Sequence, residues 1–175
     1  MSEFVNAILS EIHGLYDRPI MNNSERGVYV EIMVRHLLGN GWTYVGDGWA
    51  PYDLRHENGA KLEVKQSAAV QAWPMMKPTT PQFSIKETSW LWEAGANIQL
   101  SPPKRLADAY IFALHTALEA PDHRNPAQWS FMIIESYRLP AGQKTIGVNS
   151  LRKIGVIECG AGALKERVYD VLGIS

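Results

Sequence analysis

Asp53, Glu63 and Lys65 are the residues whose types and spacing could do chemistry in this chain. Glu63-Val64-Lys65 alternates polar, apolar, polar, and a β-strand with that pattern places Glu63 and Lys65 on one face while Val64 points into the core. Asp53 stands ten residues before Glu63, and Asn58-Gly59 between them is the best short-range hairpin signal in the chain. If Asp53 sits at the facing end of the partner strand, two carboxylates and one ammonium converge. That set suits a hard cation such as magnesium, with manganese as a substitute, because magnesium takes a few carboxylate oxygens, keeps several waters and accepts phosphate oxygens. Such an ion polarises a phosphodiester and lowers the pKa of an attacking water, while a neighbouring lysine orients that water or offsets developing negative charge.

The elements that must position these groups are written in the apolar spacing. Phe4, Ile8, Ile12 and Leu15 recur with helical period until Asp17-Arg18-Pro19, which predicts a helix over residues 3 to 15. Asn22-Asn23-Ser24 precedes Glu25 as an N-cap does, and Val28, Ile32, Leu37 and Leu38 supply apolar positions up to Gly39-Asn40-Gly41, predicting a second helix. Trp42 to Val45 reads as a short strand before the turn-prone Gly46-Asp47-Gly48, and Tyr52 to Arg55 with Ala60 to Gln66 reads as the hairpin. Residues 67 to 104 hold Pro74, Pro78, Pro81, Pro102 and Pro103 beside Trp73, Trp90 and Trp92; that much proline opposes continuous structure and predicts a long excursion, with a strand near Gln82 to Ile85. Ala109 to Leu114 and Ser130 to Ile134 read as buried central strands. The tail reads as a strand at Thr145 to Val148, a brief helix at Asn149 to Ile154 and an amphipathic helix from Ala163 to Leu172.

Asp53, Glu63, Val64 and Lys65 resemble the D-x(n)-E-x-K core of the PD-(D/E)xK nuclease superfamily, which includes many restriction endonucleases and Holliday-junction resolvases. Gly27-Val28-Tyr29-Val30-Glu31, followed by Gly41-Trp42, is similar to the N-terminal helix of resolvase-like members, whose glutamate reaches the metal site. Ala107 to Leu114 resembles the hydrophobic strand that follows the motif lysine, so the resemblance spans about residues 25 to 114; Pro51 stands two residues before Asp53 instead of adjacent to it. The resemblance implies an α/β, restriction-endonuclease-like core, with a mixed central β-sheet flanked by helices, and metal-dependent cleavage of nucleic acid, DNA in preference to RNA. In this reading Asp53, Glu63 and the Val64 carbonyl hold the ion, Lys65 assists the water, and Glu31, preferred over Glu25 on spacing, positions a metal-bound water or second ion. Nucleic-acid contacts are expected at Gln66, Ser67, Lys77, Lys86, Lys104 and Arg105, although strand alternation puts Gln66 on the opposite face from Lys65.

With 175 residues, 46% of them hydrophobic, the chain is expected to form one nuclease-like domain over residues 1–175, with the Pro/Trp-rich excursion at about 67–104. No apolar run approaches the roughly 20 residues of a membrane span, and Met1-Ser2-Glu3-Phe4 lacks a basic flank and apolar stretch; a cytoplasmic location without membrane attachment is expected. Cys159 has no disulfide partner or neighbouring ligands, and His36, His56 and His115 have no metal-site spacing. Asp108 is expected to end the loop before its strand. A net charge of -1 works against a broad electrostatic grip on phosphates, although a local basic patch or a bound cation can supply one. The tryptophans at 73, 90 and 92 either stack on exposed bases or pin the excursion to the core or a second subunit. Two rival readings follow. One is a nuclease-like fold that binds nucleic acid or a protein partner without hydrolysis; the other is a metal-dependent enzyme acting on a small phosphate ester. A homodimer is compatible with cutting two strands at once.

Overall fold

The computed structural model describes residues 2–46, 50–74, 76–93 and 95–174. Helix α1 spans Glu3–Tyr16, and the Ser2 side chain caps it by accepting from the Val5 N–H. The helical period of its apolar residues is real, yet none of them is buried: Phe4, Val5, Ile8, Leu9 and Ile12 all remain exposed. Helix α2, Asn23–Leu38, begins at a reciprocal cap. The Asn22 side chain accepts from Ser24 and Glu25, and Glu25 accepts from the Asn22 N–H, which satisfies donors that a first turn leaves free. Gly39 ends α2 at a positive φ of 81°, where a Cβ would be strained.

The strands in chain order are β1 (Trp42–Tyr44), β2 (Leu54–His56), β3 (Lys61–Ala68), β4 (Gln82–Ser84), β5 (Thr88–Glu93), β6 (Ala96–Lys104), β7 (Ala109–His115), β8 (Trp129–Glu135), β9 (Thr145–Gly147) and β10 (Glu158–Gly160). Helices α3 (Val148–Lys153) and α4 (Leu164–Leu172) lie in the C-terminal part. The central sheet runs β1-β2-β3-β7-β8-β10, with β3 and β7 parallel and every other neighbouring pair antiparallel. The expected α/β class with a mixed sheet is therefore present.

Alternation divides the sheet's side chains between two cores. Leu62 and Val64 of β3 join Ala109, Ile111 and Ala113 of β7 under α2 and α4, which contribute Val30, Val34, Leu38, Leu164 and Val168. On the other face Tyr110, Phe112 and Leu114 pack with Phe83, Ile85, Ile146 and Leu151. Because β7 is covered on both sides it is buried at every residue, which is why it reads as a continuous apolar run. Leu62 and Val64 anchor β3 from below, each burial stabilising by about 2 kcal/mol, and so hold the intervening Glu63 and the following Lys65 in register.

Two elements depart from the sequence expectation. The excursion contains the β5–β6 hairpin, including a nine-residue strand that carries Pro102 and Pro103. Those prolines sit where the pairing register slips between Thr88 and Trp90, a place where the ladder does not require their missing N–H. Strand β10 is three residues long at a sheet edge, too short for any periodicity to announce it. Of the expected turn at Gly46-Asp47-Gly48, Asp47 and Gly48 lie outside the described residues. Among the described residues no helix is long and apolar enough to cross a membrane.

Candidate active site

Asp53 is locked just before β2. Its N–H donates to the Leu62 carbonyl at 2.9 Å and its carbonyl accepts from the Val45 N–H at 2.9 Å. Its side-chain Oδ2 accepts from the Val64 N–H at 2.7 Å, so the carboxylate is tied to the very strand that carries Glu63 and Lys65. A strand residue presents its N–H and C=O toward the same edge, and so the Val64 carbonyl faces the edge that Asp53 occupies. Glu63 and Lys65, two apart on β3, form a direct ion pair.

Glu31 arrives from α2, where Tyr44 hydrogen-bonds its carboxylate. Gly46 leaves the space that brings it close to Asp53. A Cβ on Gly46 would lie 3.2 Å from Glu31 Oε2, 3.3 Å from Asp53 Oδ1 and 2.9 Å from Tyr44 Cε2. The two carboxylate oxygens thus face one small volume that only a glycine keeps open. Glu25, the other acid at the start of this helix, is spent on the cap instead.

The charges in this cluster do not balance. Burial, then the neighbouring Asp53, push the Glu31 carboxyl up to about 7, against the pull of Tyr44 and Lys65. Burial also raises Asp53, despite the Val64 N–H and Lys65, and burial followed by Asp53 raises Glu63 despite its lysine partner. For Lys65, burial opposes the ammonium, but Glu63, Asp53 and Glu31 outweigh it and raise its pKa. Three partly buried carboxylates face one ammonium, and each carboxylate is held reluctant to ionise. Among the described residues no three His, Cys, Asp or Glu side chains form a ready ligand cage. The Asp53 and Glu63 carboxylates beside the Val64 carbonyl are the hard oxygen donors taken by a cation that keeps part of its water shell.

The remaining expected residues fall in different places. Gln66 points toward α2, not to open surface: Arg26 Nε donates to its Oε1 at 2.7 Å, and its Nε2 donates to the Asn23 side chain at 3.1 Å. Its amide is engaged within the chain, by Arg26 and Asn23, where the sequence reading expected a nucleic-acid contact. Ser67 is half-buried at the far end of β3, and Lys77, Lys86 and Lys104 are exposed. Arg105 departs from expectation as well. Its guanidinium donates to the carbonyls of Ile85, Leu139 and Pro140 and pairs with Glu87 at 3.5 Å, leaving the side chain 6% exposed. Asp108 accepts from the Lys61 N–H at 2.8 Å and ends the loop before β7.

Arg26 was not singled out from the sequence. It is 1% exposed and joins Gln66, Gln71 and Asn23, fastening the start of α2 to β3 five residues before Glu31. Burial lowers its pKa to about 10, still far above neutrality, so the guanidinium is charged. A signal did exist: Arg26, Val30, Val34 and Leu38 share the four-residue spacing of one helix face, and the latter three are core.

A scan against protein-family models returns no match for this chain, and a search of curated proteins returns no significant relative.

Proposed function

We propose that the chain is a metal-dependent nuclease with a restriction-endonuclease-like core, hydrolysing phosphodiester bonds, in DNA in preference to RNA. The observation that carries the reading is the charge deficit at Glu31, Asp53, Glu63 and Lys65, which a divalent cation would neutralise. Asp53, Glu63 and the Val64 carbonyl would hold magnesium, which supplies charge neutralisation and a more acidic water when bound. The chain's own groups do the rest. Lys65, kept protonated by its acidic neighbours, would offset the negative charge that develops on the phosphate. Glu31, which Tyr44 hydrogen-bonds beside Asp53, would position a metal-bound water or a second ion. Arg26 and Gln66 set the height of α2 on β3 and therefore where Glu31 sits.

The test is to incubate the purified protein with single-stranded, duplex and branched DNA and with RNA, in magnesium, manganese or chelator. Metal-dependent cleavage that falls by about a hundredfold or more in Asp53→Asn and in Lys65→Ala is the expected result. Cleavage indifferent to both substitutions, or no cleavage of any polymer, would remove the proposal; turnover confined to mononucleotide esters would replace it with a small phosphoesterase.

A further inference from the structure

The β5–β6 hairpin forms a two-stranded sheet of its own, apart from the central sheet. Its register pairs Trp90 with Gln99 and Trp92 with Asn97, and directly opposed residues share a face. One face of the arm therefore shows two tryptophans and two amides. Trp90 and Trp92 are 52% and 49% exposed, large apolar side chains that stand half in water. An isolated two-stranded hairpin is marginal in water, and the exposed half of each tryptophan is apolar surface the hairpin itself does not use.

Three features say what covers this face. The attachment points of Trp90 and Trp92, two residues apart on a strand, are separated by about 6.7 Å, roughly twice the ~3.4 Å spacing of stacked bases, so one base fits between two rings. Opposite each indole stands an amide, Gln99 or Asn97, able to donate to and accept from a base edge, where an interface between protein copies would favour apolar partners. Neither amide carries negative charge, and the exposed Lys86 and Lys104 stand at the root of the arm, where phosphates would follow.

The root also adjoins the candidate site. Arg105, which follows β6 directly, pairs there with Glu87, and the chain then enters β7, whose Tyr110 is in register with Glu63. We infer that the β5–β6 arm is a base-stacking element, holding an unpaired stretch of nucleic acid on Trp90 and Trp92 beside the hydrolytic centre. The inference rests on the nuclease reading for the arm's place beside that centre.

The test uses the full chain carrying Asp53→Asn, to prevent hydrolysis, titrated into a fluorescein-labelled oligothymidine and a matched duplex, read by anisotropy and indole quenching. Tighter binding to the unpaired strand is expected, weakened about tenfold by Trp90→Ala or by Trp92→Ala and largely retained by Trp90→Phe or Trp92→Phe. Sedimentation of each variant should match its parent. Alanine variants that bind like the parent, or equal affinity for duplex and single strand, would overturn the inference. So would a double alanine variant that dissociates a dimer without changing oligothymidine affinity, since the arm would then join two copies. Failure of the arm and of the nuclease reading are separable. Parent-like binding by the alanine variants in a wild type that cleaves removes only the arm's role, whereas tryptophan-dependent binding without any cleavage keeps the arm and removes the hydrolysis.

Discussion

Glu31→Gln replaces an ionisable carboxyl by a neutral group of the same shape, and the charge deficit makes its effect depend on pH. The folded protein raises this carboxyl from 4.5 to about 7. Between those values the folded chain holds a proton that the unfolded chain has lost, so stability falls as pH rises through the window and stays lowered above it. A shift of that size corresponds to at most about 3 kcal/mol, and solvent screening of a partly exposed group trims it to about 1–2 kcal/mol. The substitution removes this cost. At roughly pH 8.5 in chelator, Glu31→Gln should melt about 3–6 °C above wild type, for a chain of this length, while near pH 4.5 the two should coincide. Circular dichroism melts at both pH values check this, and a magnesium titration extends it: wild type should gain more thermal stability from the ion at alkaline pH than the variant does. A temperature difference that is the same at both pH values, or a variant less stable than wild type at alkaline pH, would refute the uncompensated charge.

Gly46→Ala places a methyl within 3.3 Å of both Glu31 Oε2 and Asp53 Oδ1, and 2.9 Å from the Tyr44 ring. Calorimetric titration should show magnesium affinity reduced by about tenfold or more, with a stability loss of about 1–3 kcal/mol. Arg26→Ala strips charged donors from Gln66, Gln71 and Asn23, and urea denaturation should report a loss of about 2–4 kcal/mol. His123, buried first of all and then set against Arg26 and His115, is lowered to about 4. The stability it contributes is present above about 6.5 and lost as pH falls through 4, up to about 3 kcal/mol, and a urea series across that range should be flatter for His123→Asn.

The parts of the fold that were legible beforehand are those written in local chemistry. Asn22 and Glu25 cap α2 because a short side-chain oxygen and a reaching carboxylate meet first-turn donors wherever a helix starts. Asn58-Gly59 closes a hairpin because Gly59 takes a φ of 96°, and β7 reads as apolar throughout because both its faces are covered. The tie between Asp53 and the strand that carries Glu63 follows from that same hairpin, through a hydrogen bond from Val64, eleven residues along the chain.

What stayed hidden depends on contacts between distant segments. The helical period of α1 is as regular as that of a core helix, but whether Phe4 and Ile8 are covered depends on what else the chain brings there, and nothing among the described residues buries them. Arg105 looks like any exposed basic residue until Leu139 and Pro140, more than thirty positions away, supply the carbonyls that hold it. Sequence by itself settled which residue types stand two apart on β3 and where its hairpin turns, because those follow from backbone geometry over a few bonds. Only the tertiary structure decided that Glu31 joins them and that the four charges fail to cancel, because burial and Coulomb forces act through space and are set by whichever side chains the fold brings near.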